Sequence, residues 1–304
     1  MTNTQEKKQR FLPSLTSVEQ LEEIADSLPD DLIAGIVPSG GVMMLAGAPG
    51  TGKSFTALSW AAAIAEGGDW FGHAVQQARV VYVLGEGWHK FGRRTKAWSE
   101  VNGRRISDDL RFLNGVPLGF DLADPYAVQA FAEEMAEVKP GLIVIDTFSK
   151  LARVESENDN AQVAQVMANA EAISEATGAT VMLIHHVTKA GGSVRGAGAF
   201  TGNCDTVVMA VETIDEDARP DGFMLSTASA HGGKQRDGEE TTLRGFSIAS
   251  PGVLMQSAHN DVGYRKKADE ARERAMAVAA KTAAEYAEKQ KAEEADNNEE
   301  KKEN

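Results

Sequence analysis

The segment GAPGTGKSF, residues 47–55, lies between an apolar run, GVMMLA at 41–46, and an alanine-rich run, TALSWAAAIA at 56–65. Gly47, Gly52, Lys53 and Ser54 complete G-x-x-x-x-G-K-S, and the flanking runs read as a strand entering the loop and a helix leaving it, the context this spacing requires. Glycines let successive backbone N–H groups turn inward around a phosphate, and the helix N-terminus adds its dipole. The lysine reaches the β- and γ-phosphate oxygens, and the serine hydroxyl ligates Mg²⁺. Gly47, Ala48, Pro49, Gly50, Thr51, Gly52, Lys53, Ser54 and Phe55 are therefore the expected nucleotide-binding residues, with a nucleoside triphosphate and Mg²⁺ as the expected ligands.

Outward from this loop, short β-rich runs alternate with helical stretches. The runs are VMMLA, VVYVL, LIVID, TVMLI and TVVMAV, and helices are expected at 53–65, 126–138 and 160–177, the last ending at Gly178 as its C-cap. Such alternation predicts an α/β fold with a mostly parallel sheet and helices on both faces. Beyond Asp205 the helices stop. VVMAVET, GFMLSTAS, TTLRGFSI and GVLMQS read as an antiparallel extension of the sheet.

Three segments follow from this pattern. Residues 1–29 form a tail and a short amphipathic helix, in which Ser17 and Gln20 make a capping box and Leu21, Ile24, Ala25 and Leu28 share a face that packs on its own core or on a neighbour. Residues 30–257 form the nucleotide-binding domain. Residues 258–304 are rich in Ala, Lys and Glu, with few large apolar side chains, and read as a solvated helix fading into disorder.

Two further strands end on carboxylates. LIVIDT places Asp146 at a strand's C-terminal end, where it can hold the Mg²⁺; strand ends of an open parallel sheet converge on one crevice. VVYVLGEG does the same for Glu86, with glycines on either side that leave room for a carboxylate to take a proton from the water attacking a γ-phosphate. TVMLI runs into His185 and His186, either of which can hydrogen-bond the γ-phosphate. The glycine-rich VTKAGGSVRGAG that follows carries Lys189 and Arg195, isolated cations suited to a single-stranded phosphodiester backbone.

A net charge of −14 argues against a broadly basic nucleic-acid surface, so any DNA contact is local. MTNTQEKKQRF has charges where a signal peptide needs an apolar core, and no run reaches the roughly 18 apolar residues of a membrane span. A cytoplasmic location is expected. The one cysteine, Cys204, fits a reducing compartment and reads as packing.

Together these elements resemble the RecA-like ATPases, and within them the RepA-type replicative helicases of plasmids and related AAA-labelled ATPases of bacteriophages, over roughly residues 30–250. The resemblance rests on GAPGTGKS, on YVLGEG followed by FGRRTKAW, on the stretch from IDTFSKLARVESENDN to VMLIHHVTK, and on RGAGAF with Asp205. It implies Lys53 and Ser54 at phosphate and Mg²⁺, Glu86 as the catalytic acid, Asp146 as the metal aspartate, His186 as the γ-phosphate sensor, and a ring hexamer with ATP sites between subunits. In the plasmid helicase an arginine finger lies three residues beyond the aspartate that matches Asp205, where this chain has Val208. In HGGKQRDG, Lys234 and Arg236 resemble the K-x-R pair that DnaB-type helicases insert into a neighbour's site. The implied activity is an ATP-driven motor on single-stranded DNA in phage or plasmid replication. A recombination or annealing factor and a non-motor switch that binds a protein partner are the alternatives.

Overall fold

A computed structural model describes residues 17–27, 31–187, 194, 198–214, 220–236, 238–249 and 252–256. The outer tails, and with them the loop cations Lys189 and Arg195, lie outside the described residues. In chain order the elements are α1 (Val18–Ser27), β1 (Val42–Gly47), α2 (Lys53–Glu66), β2 (Gly68–Trp70), β3 (His73–Val75), β4 (Val80–Leu84), α3 (Trp88–Asn102), β5 (Leu110–Asn114), α4 (Pro125–Val138), β6 (Leu142–Asp146), α5 (Phe148–Leu151), α6 (Asn160–Thr177), β7 (Thr180–His186), α7 (Ala199–Gly202), β8 (Thr206–Ile214), β9 (Pro220–Ser226), β10 (Lys234–Gln235), β11 (Thr242–Ala249) and β12 (Val253–Gln256).

One large sheet runs β12-β11-β9-β8-β1-β7-β6-β4-β5, with β10 beside β8. Strands β1, β4, β5, β6 and β7 are parallel. Their near-continuous apolar runs follow from burial on both faces. Alternation sorts the side chains: Tyr82, Leu84, Val144, Met182 and Ile184 pack with α2 and α3, whereas Val83, Ile143, Ile145, Val181 and Leu183 pack with α4 and α6. The expected α/β architecture with a parallel centre is present.

The antiparallel extension starts one strand later than the sequence suggests. β8 pairs parallel with β1, Leu45 opposite Val208, and antiparallel with β9, so it joins the two halves of the sheet. Besides the short elements β2, β3, α5, α7 and β10, two longer ones were not visible in the hydrophobic pattern. α3 buries only Phe91, Ala97, Trp98 and Val101. β5 is an edge strand, fully buried only at Leu110.

The caps agree with the sequence. Ser17 and Gln20 bond reciprocally, the Ser17 N–H to Gln20 Oε1 at 3.0 Å and the Gln20 N–H to Ser17 Oγ at 3.2 Å. Val18 and Leu21 on α1 are nonetheless 72% and 61% exposed. Gly178 closes α6, its N–H donating to the Ser174 carbonyl at 2.7 Å. At the other end, Asp159 Oδ1 accepts from the N–H groups of Ala161 and Gln162 at 2.8 and 3.2 Å. These bonds, the Gln162 backbone first, hold the Asp159 carboxyl below its ordinary pKa. A depressed folded pKa means stability that is present above the unfolded value and lost as pH falls through the folded one. Asp159→Ala is therefore expected to lower the thermal unfolding midpoint at pH 7, with the gap to the parental protein closing on acidification. Equal midpoints at pH 7 would show that the cap contributes nothing.

Candidate active site

The loop after β1 is built to hold an anion. Gly52, the N-cap of α2, has φ 80°, a left-handed conformation that favours glycine, and a Cβ there would come within 3.0 Å of Ile248 and Phe223. No side chain caps the start of α2, so among the described residues its first amide groups remain available to a phosphate. Lys53 is 6% exposed, and its ammonium donates to the carbonyls of Gly47 at 2.9 Å and Ala48 at 2.8 Å. Burial pushes its pKa down to about 8, while Asp146 acts to hold it up. Thr51 Oγ1 closes the turn on the Ala48 carbonyl at 2.8 Å, and Pro49 and Gly50 form its tip.

Asp146 ends β6 and is 3% exposed. The Tyr82 hydroxyl, on the neighbouring strand β4, donates to its Oδ2 at 2.7 Å, and Ser54 lies close enough to favour the charged carboxylate. Burial raises the Asp146 pKa, against the lowering effect of Tyr82 first and Ser54 second. A carboxylate and a hydroxyl close together at the mouth of the phosphate loop form a hard-oxygen pair that fits Mg²⁺. That ion is usually held by one or two carboxylates plus substrate phosphates, not by an all-protein cage. The described residues contain no cluster of three or more His, Cys, Asp or Glu placed to hold a metal.

Glu86 and Asp146 line one cavity of about 530 Å³ with Ser54, Gly87, Trp88, His89, Lys90, Phe91 and Arg94. The glycines around Glu86 act differently from the expectation that they leave room on both sides. A Cβ on Gly85 would lie 2.6 Å from Lys150 Cβ, so this glycine lets α5 approach. Lys150 Nζ consequently sits 3.9 Å from Glu86 Oε2. The Gly85 N–H donates to the Asp146 carbonyl at 2.7 Å, which ties the two carboxylate-bearing strand ends together. Tyr82 and Arg94 are the site residues that the sequence pattern did not reveal; the basic run FGRRTKAW was visible, but nothing in it separates Arg94 from its neighbours.

The two histidines are told apart by the pleat. His185 is fully buried on the α6 face, its ring 5.1 Å from Phe148 and 4.6 Å from Phe200. His186 faces the other way, on the side that carries α2 and Asp146, and is paired in register with Gly47.

Lys234 and Arg236 lie elsewhere. Lys234 pairs with Val207 and Gln235 with Thr206, and Thr206 is level with Met43, near the start of β1. The phosphate loop leaves the far end of β1 at Gly47, about 13 Å along the strand from Met43. Lys234 Nζ donates to the carbonyls of Thr201, Gly202 and Cys204 at 2.9, 3.2 and 2.6 Å, and Arg236 pairs with Asp205. Cys204 is buried, and burial pushes its thiol up to about 12, which keeps it inert. No described helix is long and apolar enough to cross a membrane.

Comparison with known proteins agrees with this geometry. The family described as AAA domain matches residues 5–192. The DNA repair protein RadA of Halalkalibacterium halodurans is 28% identical over 179 residues, which span 58% of this chain and 32% of that protein. The chain thus aligns with about a third of that relative's length.

Proposed function

The chain belongs to the AAA domain family and has a RecA-like P-loop ATPase core; from that premise we propose that it hydrolyses ATP with Mg²⁺ and uses the energy to move along single-stranded DNA as a ring-forming, helicase-like motor. The observation that carries the ATPase reading is the convergence of Lys53, Ser54, Glu86 and Asp146 at the carboxyl ends of β1, β4 and β6.

In this reading the N-terminal amides of α2 and Lys53 hold the β- and γ-phosphates. Ser54 and Asp146 would hold Mg²⁺, which supplies Lewis-acid polarisation of the phosphoryl oxygens. Glu86 takes a proton from the water whose oxygen bonds to the γ-phosphorus, and the bond to the β,γ-bridging oxygen breaks, giving ADP and inorganic phosphate. His186, on the α2 side of β7, donates to a terminal phosphate oxygen. Lys234 and Arg236 serve a second copy's site; the support for this is their place at the opposite end of the sheet from their own phosphate loop. Lys189 and Arg195 contact the DNA backbone. A second reading, a RecA-like recombination or annealing factor, is favoured by the repair function in the name of the RadA relative.

ATP turnover with and without a single-stranded oligonucleotide, beside a mass measurement in ATP, tests the proposal. The motor reading expects stimulation by DNA and a mass of six 32.5 kDa chains. Replacing both Lys189 and Arg195 with Ala should weaken DNA binding for every sequence and reduce its salt slope by about two while basal turnover survives. Turnover unchanged by any oligonucleotide would instead indicate a switch with a protein partner. Annealing without unwinding would favour the recombination reading.

A further inference from the structure

We propose that Arg94 contacts the terminal phosphate of the nucleotide bound in its own chain, a cation supplied within the subunit and distinct from Arg236; this rests on the ATPase reading above. Arg94 lies on α3, one turn after Phe91, and these two residues share a helix face. Its guanidinium carbon sits 4.5 Å from the ring centroid of Phe55 and 5.3 Å from that of Phe91. Phe55 immediately follows Ser54 in the first turn of α2, so the stacking fixes the guanidinium relative to the phosphate loop itself. A planar, weakly hydrated cation is suited to such a seat, and the aromatic faces leave its N–H edges unused.

Those edges have no hydrogen-bonding side chain or carbonyl to satisfy them among the described residues, and no ion pair is formed there. Arg94 is nonetheless half-buried and lines the cavity that Ser54, Glu86 and Asp146 share. Ser54 and Asp146 mark where the metal and the β,γ-phosphates sit, and Glu86 marks the side from which water attacks. An anion between them is the terminal phosphoryl group, and five guanidinium donors match its oxygens. Arg93, the preceding residue, is exposed and does not line the cavity, so it is the control for loss of charge alone.

The experiment measures ATP and ADP affinities of the full chain, parental against Arg94→Ala, Arg94→Lys and Arg93→Ala. ADP lacks the group that Arg94 contacts, so Arg94→Ala should lose about tenfold or more in ATP affinity while ADP affinity stays within about twofold. Arg94→Lys, which keeps the charge without the fork, should fall between, and Arg93→Ala should match the parental protein. If Arg94→Ala does not fold, the ATP-to-ADP ratio of Arg94→Lys is read by the same criterion. A mixture of Arg94→Ala with Glu86→Gln subunits should show no restored turnover, because both groups belong to one chain's cavity. An unchanged ATP-to-ADP ratio in folded Arg94→Ala, or restored turnover in that mixture, overturns the proposal alone. A parental protein that binds neither nucleotide overturns the ATPase reading with it.

Discussion

Glu86→Gln is expected to bind ATP as the parental protein does and to hydrolyse it about 100-fold or more slowly, the range in which a positioned general base contributes. The amide keeps the size and the hydrogen-bonding shape of the carboxylate but cannot accept the proton of the attacking water. The proposed role of Glu86 as the acceptor is supported by the cavity it shares with Ser54 and Asp146 and by the Gly85 N–H, which ties its strand end to Asp146 at 2.7 Å. The competing role for Glu86 is its contact with Lys150, 3.9 Å away, with the two side chains 59% and 55% exposed. A pair so exposed contributes at most about 1 kcal/mol to stability and nothing to chemistry. A rate loss with unchanged ATP affinity and an unchanged unfolding midpoint therefore separates base from surface ion pair. Hydrolysis at the parental rate removes Glu86 from the reaction.

Lys53→Ala acts on the step before, and its expected effect is a loss of about 100-fold in affinity for ATP and ADP alike, since the ammonium serves the β-phosphate that both contain. Lys53 is buried, and two carbonyls of its own loop already orient it, so the substitution removes a preorganised charge and not a mobile one. The stability effect should be small, because the parental protein holds a desolvated cation there whose pKa burial has brought down to about 8. Titration of nucleotide into the two proteins, beside a thermal unfolding scan, measures both. Equal affinities would take Lys53 out of the phosphate site.

How much of this was legible in the sequence depended on whether a residue's partner was near it in the chain. The phosphate loop is contiguous, its glycine spacing is specific, and the strands around it are apolar enough to stand out. Helix α6 declares both ends, at Asp159 and Gly178, and its observed span matches the expected one. Between Trp88 and Asn114 the pattern failed. α3 has Gly92 inside it and a mostly polar surface, and β5, paired on one side only, buries too little to show the apolar run of its neighbours. Tyr82 and Asp146 are separated by 64 residues, and only the β4–β6 pairing, Leu84 opposite Asp146, brings them into contact. Arg94 enters the site through aromatic stacking across two helices, which no local spacing encodes. The position of Lys234 and Arg236 likewise follows from the register of β10 on β8, a long-range pairing.

The central claim is that the cavity between the phosphate loop, Glu86 and Asp146 cleaves ATP. Its most direct test is release of inorganic phosphate from ATP by the purified parental chain, with Mg²⁺ and with excess chelator, beside Lys53→Ala and Glu86→Gln under the same conditions. The account predicts steady release that requires Mg²⁺ and is lost in both variants, with uncleaved ATP recovered from Glu86→Gln. Release that persists undiminished in the two variants, or a parental protein that binds ATP and never cleaves it, would contradict the claim.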